Sequence, residues 1–543
     1  MNLENSAQHL VILPILLPLL CGAILVPLTS GYHRFKFAVS CASVLAQLIA
    51  ACALMQHADS GAWEEGIGVY LAANWAAPFG IALVADRLSA LMLLLTAVLA
   101  FASLYFALAR WSRVGVHFHA LFQFLLMGIN GAFLTHDLFN LFVFFEVMLA
   151  ASYGLVLHGY NAERLRASMQ YIAVNLAAAL LFLIGTALIY ATTGTLNMAD
   201  LAVRIAAIAP ADIGLLKVGV AVLALAFLVK SAMWPLGFWL PTTYAAASPP
   251  VAAMLVLMTK VGAYVILRLW LLLFGEQGGA AAGFGQLALV WGGMATIVFG
   301  AAGMLSTDRA GRMAGYSAIV SSGTLLAVIG YGQASLVTAA LYYLIGSTLA
   351  VATFLLLIEL IDRIRTPGSA MLALTMEAWA VEDAPDEPRG KGVPAAMAFL
   401  SLAFLACTLM IAGLPPLSGF VAKFSMFHAL LNPPPGSAGI GPTGWTLMAL
   451  VFVSGLIAII SMLRFGVRTF WAAEIIKPPH LRLSEVVPIT GLLLLSVAMT
   501  VQARPLFDYL GRASADLHAP DKYVRRVLGE PVVPNPSTQP EAP

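Results

Sequence analysis

The sequence predicts an all-α polytopic membrane protein of about fourteen transmembrane helices. Two observations carry this expectation. The 543 residues are 61% hydrophobic and only 10% charged, whereas a soluble protein carries about 25% charge. The apolar residues also fall in runs of about 20, the length a helix needs to cross a bilayer. One globular core cannot absorb that much apolar side chain, but a bundle facing lipid can. The runs are too long and too uniformly apolar for the alternating strands of a membrane barrel.

Taken in order, the runs cover residues 10–29, 35–55, 84–108, 118–134, 138–158, 169–192, 213–236 and 250–273. They continue at 284–305, 313–330, 336–361, 395–431, 447–465 and 487–501. The first follows a nearly uncharged start, so it reads as a retained helix and not as a cleaved signal. Basic residues set the orientation. Arg34, Lys36, Arg110, Arg113, Arg164, Arg166, Arg309, Arg312, Arg363, Arg365, Arg464 and Arg468 all follow odd-numbered runs. The even side carries Glu64, Glu65, Asp137, Asp200 and Glu276. A multi-pass membrane protein with both termini outside the cytoplasm is expected.

Three segments stand apart. Residues 362–393 read as a polar cytoplasmic connector with Glu377, Glu382, Asp383, Asp386 and Glu387. The tail 504–543 is charged, then rich in proline at Pro531, Pro534 and Pro536, and its last stretch is expected to be poorly ordered. Residues 196–208 have helical spacing but are too polar to span, so an interfacial helix fits.

Several function classes are excluded. The net charge of +2 is spread over many loops, so nucleic acid is not an expected partner. Cys21, Cys41, Cys52 and Cys407 lie in apolar runs without metal-ligand spacing and read as small buried hydrophobes. No metal, no cofactor and no catalytic centre of an enzyme is predicted.

Titratable residues at mid-span are few, and each is costly there: about 2.5–3.5 kcal/mol for a central lysine or aspartate. Glu146 closes the segment Asp137-Leu-Phe-Asn-Leu-Phe-Val-Phe-Phe-Glu146, among aromatics that cannot satisfy a carboxylate. Lys230 sits in Ala226-Phe-Leu-Val-Lys-Ser-Ala-Met-Trp-Pro235, Lys260 lies ten residues into the eighth run, and Lys423 ends Gly413-Leu-Pro-Pro-Leu-Ser-Gly-Phe-Val-Ala-Lys423. One ion pair with snorkelling lysines would account for a single such residue. Three deep lysines and a glutamate point instead to a proton relay, because burial favours the neutral amine and an approaching carboxylate the charged one.

Two lysines adjoin helix breaks, at Pro235 and Pro241 after Lys230 and at Pro415, Pro416 and Gly419 before Lys423. Interrupted spans in corresponding halves mark transporter sites. The seventh and twelfth runs are five apart, which predicts two inverted five-helix repeats. The expected division is 1–112 for the first three helices, 113–275 and 283–470 for the repeats, 483–503 for the last helix and 504–543 for the tail. His136 and Asp137 form a candidate entrance and His428 a candidate exit. Lys217 and Arg268 read as interfacial, and Asp308 with Arg312 as a cytoplasmic cap.

The motif from Asp137 through Glu146 to Ser152-Tyr153 resembles the fifth helix of the D subunit of Mrp-type multisubunit cation/proton antiporters, also named Pha systems. Leu228-Val-Lys-Ser-Ala-Met-Trp-Pro-Leu-Gly-Phe-Trp-Leu-Pro241, Thr242-Thr-Tyr-Ala-Ala-Ala-Ser-Pro-Pro250 and Thr259-Lys-Val-Gly262 are similar to the same subunit's seventh and eighth helices. The resemblance extends over nearly all of the chain and reaches the wider superfamily of antiporter-like subunits in complex I and membrane-bound hydrogenases. It implies a proton-translocating subunit of a Na⁺ or K⁺/proton antiporter, with partner membrane subunits such as A and C, protons, monovalent cations and lipid. Glu146 and Lys230 would be a paired gate, Lys260 the central relay and Lys423 the terminal one. The alternative is a proton-pumping subunit of a redox-driven complex. One departure matters: in Tyr342-Tyr-Leu-Ile-Gly-Ser-Thr348, relatives often carry a His or Lys near Gly346. Water supported by Ser321, Ser322, Ser347 or Thr348 would have to bridge that gap.

Overall fold

Each of the fourteen apolar runs forms helix, because in lipid a backbone must satisfy its own hydrogen bonds. The computed structural model describes residues 8–159, 161–364, 394–433, 440–471 and 480–532. The acidic connector residues from Glu377 to Glu387, together with Pro534 and Pro536, lie outside the described residues.

The order is α1 (Leu13–Leu25), α2 (His33–Asp59), a hairpin of β1 (Gly68–Leu71) and β2 (Ala82–Ala85), α3 (Arg87–Ala107), α4 (Phe118–Leu134), α5 (Leu138–Val156) and α6 (Ala162–Thr193). Next come α7 (Met198–Ala206), α8 (Ile213–Lys230), α9 (Leu240–Ala246), α10 (Pro249–Phe274), α11 (Gln286–Ser306), α12 (Ala310–Tyr331) and α13 (Ala334–Asp362). The chain closes with α14 (Ala395–Ala412), α15 (Ser418–Leu431), α16 (Pro442–Gly466), α17 (Leu483–Val501), α18 (Ala503–Leu517) and α19 (Pro520–Leu528). By length and composition, twelve helices among the described residues are able to cross a membrane, and α1 and α4 are shorter apolar helices. This is a multi-pass membrane protein.

Burial locates the axis of the bundle. The most apolar stretch of α10 is buried throughout, and those of α12 and α13 nearly so, while α6 and α17 keep about two thirds of theirs outward for lipid. Both predicted breaks are present. At the first, α8 stops at Lys230 and the chain turns before α9 resumes. Freed donors there find acceptors: Met233 N–H donates to Leu228 O (3.0 Å) and Trp234 N–H to Thr296 Oγ1 (2.9 Å). At the second, Gly413 ends α14 with φ +80°, a conformation that favours glycine.

Loops at the two ends keep to separate partners. At one end, Lys36 ties the loop after α1 to the loop after α3 through Leu28 O and Val116 O (2.8 Å each). There too Trp111 meets Glu359, and Arg309 meets Glu163. At the other end, Arg512 pairs with Asp59, Arg525 with Glu65, and Gln8 donates to Glu530. The odd and even connections of the sequence reading are thus gathered on opposite faces.

The third helix begins at Arg87, not at 84 as expected, because Asp86 and Ser89 form a reciprocal cap and Val84 pairs with Val69 in the hairpin. The charged part of the tail forms α18 and α19, whose arginines and carboxylates find partners on the bundle, and its last stretch, beyond residue 532, lies outside the described residues. Asp308 pairs with Arg464 and Arg468.

Candidate functional site

Lys230 ends α8 and is 5% exposed. Its Nζ donates to Oδ1 of Asn175 on α6 at 2.5 Å, and Asn175 donates in turn to Tyr171 O. Glu146, on α5, is half-buried. Glu146 and Lys230 line one apolar cavity of about 10 Å³ with Phe142, Phe145, Phe182 and Ala226. Among the described residues no ion pair joins them, and an amide holds the amine. Asn175 was missed by sequence reasoning. Its signal was an amide in the middle of an otherwise apolar run.

Ser231 follows Lys230, and its hydroxyl packs against Gly262, two residues beyond Lys260. A side chain at 262 would press on Ser231 Oγ at 2.6 Å, so glycine lets the broken helix approach α10. Ser231 Oγ is buried and finds no partner among the described residues. A water fits such a position.

Lys260 is fully buried on α10. Its Nζ donates to Ser321 Oγ on α12 at 2.5 Å, and Ser321 donates to Ser347 Oγ on α13 at 2.8 Å. Ser321 and Ser347 also line a cavity of about 20 Å³ with Ser317, Tyr343, Ser454 and Lys423. Two hydrogen-bonded hydroxyls therefore lie beside Gly346 and open on a cavity that Lys423 also lines.

Lys423 lies on α15, one turn past the second break. Its Nζ donates to Ala412 O, at the carbonyl end of α14, at 2.8 Å. The last carbonyls of a helix carry partial negative charge, which suits an amine. Glycines make room: a Cβ at Gly455 would sit 2.6 Å from Ala412 O and 3.0 Å from Lys423 Nζ. On its other side Lys423 lines an apolar cavity of about 230 Å³ with Phe420, Phe424 and Phe452. His428, further along α15, is exposed.

The remaining candidates gather at the end of the bundle where Gln8 meets Glu530. Asp137 caps α5 by accepting from Asn140 N–H at 2.8 Å, and its burial pushes the carboxyl pKa up. His136 is fully buried beneath Tyr523 of α19, not open to solvent. Arg268, expected at an interface, is buried. Its Nη2 contacts both oxygens of Asp86 at 2.9 and 2.7 Å. Asp86 was not singled out in the sequence, although an acidic residue within the run 84–108 was visible there.

Fold and site together define a polytopic membrane protein with two interrupted helices and a buried row of lysines. The family model described as NADH:quinone oxidoreductase/Mrp antiporter, TM, matches residues 135–436, and the chain belongs to that family. Over 529 residues it is 51% identical to a probable K⁺/H⁺ antiporter D subunit of Rhizobium meliloti (strain 1021), covering 96% of this chain and 98% of that one. The D subunit of a Na⁺/H⁺ antiporter of Alkalihalophilus pseudofirmus is 32% identical over 530 residues, 96% of this chain and 100% of that one. A chain in the structure of the Mrp complex from Dietzia sp. DQ12-45-1b superposes with a TM-score of 0.81 at 27% identity, covering 97% and 100%. Respiratory complex I from Thermus thermophilus contains a chain with the same fold, with a TM-score of 0.70 at 22% identity over 94% and 99%.

Proposed function

We propose that this chain is the proton-translocating D subunit of a multisubunit Na⁺ or K⁺/proton antiporter, a transporter subunit and not an enzyme. It works with other membrane subunits in the bacterial inner membrane, driven by the existing proton gradient. The observation that carries the reading is the set of partners around the deep lysines. Lys230 is held by an amide, Lys260 by a hydroxyl and Lys423 by a carbonyl, and none by a carboxylate among the described residues. A structural lock would pair each charge, whereas an amine with only neutral partners changes its proton at lower cost.

On this reading Glu146 approaches and leaves Lys230 across their shared cavity. Lys230 exchanges with Lys260 through water at Ser231, and Lys260 exchanges with Lys423 through Ser321 and Ser347. The hydroxyls stand in for the titratable side chain that relatives often carry near Gly346. Fourteen spans, ten of them in two inverted five-helix repeats at 113–275 and 283–470, fit the two breaks. Both termini face away from the cytoplasm, because the basic loops lie at the opposite end. A role in a redox-driven pump rests on likeness of fold alone.

The test uses the whole complex in membrane vesicles from a strain without its own antiporters. Lys230→Ala and Lys260→Ala are each expected to abolish cation-driven proton movement while the complex still assembles. Wild-type rates in both would overturn the proposal.

A further inference from the structure

Beyond the row of lysines, a second group of buried polar side chains lies towards the end of the bundle where Gln8 meets Glu530. Along α10, Tyr264 and Arg268 follow Lys260 at four and eight residues, which places Arg268 about 12 Å further along the axis. All three are buried. Tyr264 donates to Phe133 O at 2.7 Å, and the Arg268 guanidinium lies 5.3 Å from the Tyr264 ring centre. Arg268 grips Asp86, His136 Nδ1 donates to Leu134 O (3.0 Å), and the His136 ring lies 5.3 Å from that of Tyr523.

Four buried polar atoms in this group have no partner among the described residues: Arg268 Nε, His136 Nε2, Tyr523 Oη and Asn197 Nδ2. Asn197 adjoins His136, since Met198 N–H donates to His136 O at 2.9 Å. More than about 90% of buried polar atoms in proteins are satisfied, so four together indicate an occupant. Arg268 and Asn197 offer N–H donors, Tyr523 a hydroxyl, and neutral His136 an acceptor at Nε2. Water matches that mixture, for it makes about 2–4 hydrogen bonds of both kinds. A metal cation would face mostly donors, and an anion would meet Asp86.

α19 covers this group. Tyr523 and Val527 pack onto Val69, Val84 and Ala199. Its outer side carries exposed contacts, Arg525 to Glu65 at 3.0 Å and Asp521 to Gln277 at 2.8 Å. Such surface ties contribute little.

We propose that Asp86, His136, Arg268 and Tyr523 form a water-holding proton station between Lys260 and the non-cytoplasmic face, with α19 as its cover. This rests on the role of Lys260 proposed above. When α19 parts, a proton from outside water forms an N–H bond at His136 Nε2. As α19 closes, that N–H bond breaks, restoring the neutral imidazole, and the proton passes through water to the neutral Lys260 amine, where a new N–H bond gives the ammonium. The groups facing His136 are Asp86 ahead of α3, Tyr264 and Arg268 on α10, Asn197 ahead of α7 and Tyr523 on α19. With the cover closed, burial and then the Arg268 charge hold the imidazole pKa down to about 3, against the pull of Asp86. A closed station therefore stays unloaded and does not leak.

The experiment measures cation-driven proton movement by the whole complex in vesicles, at saturating cation and over a range of outside pH. His136→Asn keeps a donor for Leu134 O but loses Nε2, and is expected to slow transport about tenfold and flatten the pH profile. Tyr523→Phe, which removes only a hydroxyl, is expected to slow it about threefold. Wild-type rates and profile in both variants, with Lys260→Ala inactive, would overturn the station and leave the lysine path standing. Wild-type transport in Lys260→Ala would remove the reading on which it rests. If His136→Asn does not assemble, Tyr523→Phe decides: a wild-type rate and profile there overturn the station.

Discussion

Lys260 and Ser347 sit on different helices, and Ser321 joins them, accepting from Lys260 at 2.5 Å and donating to Ser347 at 2.8 Å. This short wire crosses α10, α12 and α13 at the level where residue 346 is glycine. If it carries protons, Ser321→Ala and Ser347→Ala each slow antiport about fivefold, and the double variant little more. Groups in one network do not add, with coupling of about 0.5–3 kcal/mol. Rates in vesicles, normalised to assembled complex, measure this. Independent, multiplying losses would count against a single wire.

Asn175 holds Lys230 by a neutral acceptor. Asn175→Asp places a fixed carboxylate there and pins the amine in its charged form, since an adjacent opposite charge stabilises it. The expected result is a well-assembled complex whose antiport is at least about tenfold slower. Transport at the wild-type rate would show that Lys230 need not change its proton.

Gly455 lets α16 close against the second break. In Gly455→Ala the new methyl falls 2.6 Å from Ala412 O and 3.0 Å from Lys423 Nζ. Crowding of this kind costs about 1–3 kcal/mol. The lysine is expected to give up Ala412 O, with lowered thermal stability and slowed antiport, whereas Gly491→Ala, in open space on α17, changes neither. Equal behaviour of the two variants in thermal unfolding and transport would refute the steric argument.

His136 makes stability depend on pH. Its folded pKa of about 3 lies below the unfolded value of about 6.5. The unfolded chain therefore binds this proton first as pH falls, so the stabilisation present above about 6.5 is lost progressively towards about 3. Asp86, held low by Arg268 and the Ser89 N–H against its burial, keeps its contribution until far more acid conditions. Melting of the purified complex is expected to drop between pH 7.5 and 5, about one unit above and one and a half below the free-histidine value. His136→Asn should flatten that drop, and an unchanged slope would mean that other groups dominate.

Much of the site was legible because its signals are local. A lysine among twenty apolar residues is visible from its neighbours alone, and Pro235, Pro415 and Pro416 interrupt helices by their own backbone chemistry. Asn175 and Asp86 were harder. Each becomes informative only through a partner 55 or 182 residues away. His428 shows the converse: its place near the end of an apolar run suggested an exit, and its exposure on α15 says nothing further about one.

The sequence by itself determined the membrane class, the apolar helices, the two breaks and the depth of Glu146, Lys230, Lys260 and Lys423, because run length and proline act along the chain. Only the tertiary structure decided which groups meet. The rotation and neighbours of each helix put Asn175 rather than Glu146 on Lys230, joined Ser321 to Ser347, buried Arg268 against Asp86 and laid α19 over His136. Those choices depend on packing between helices far apart in sequence, where a side chain's partner is set by the face it presents and not by the residues beside it.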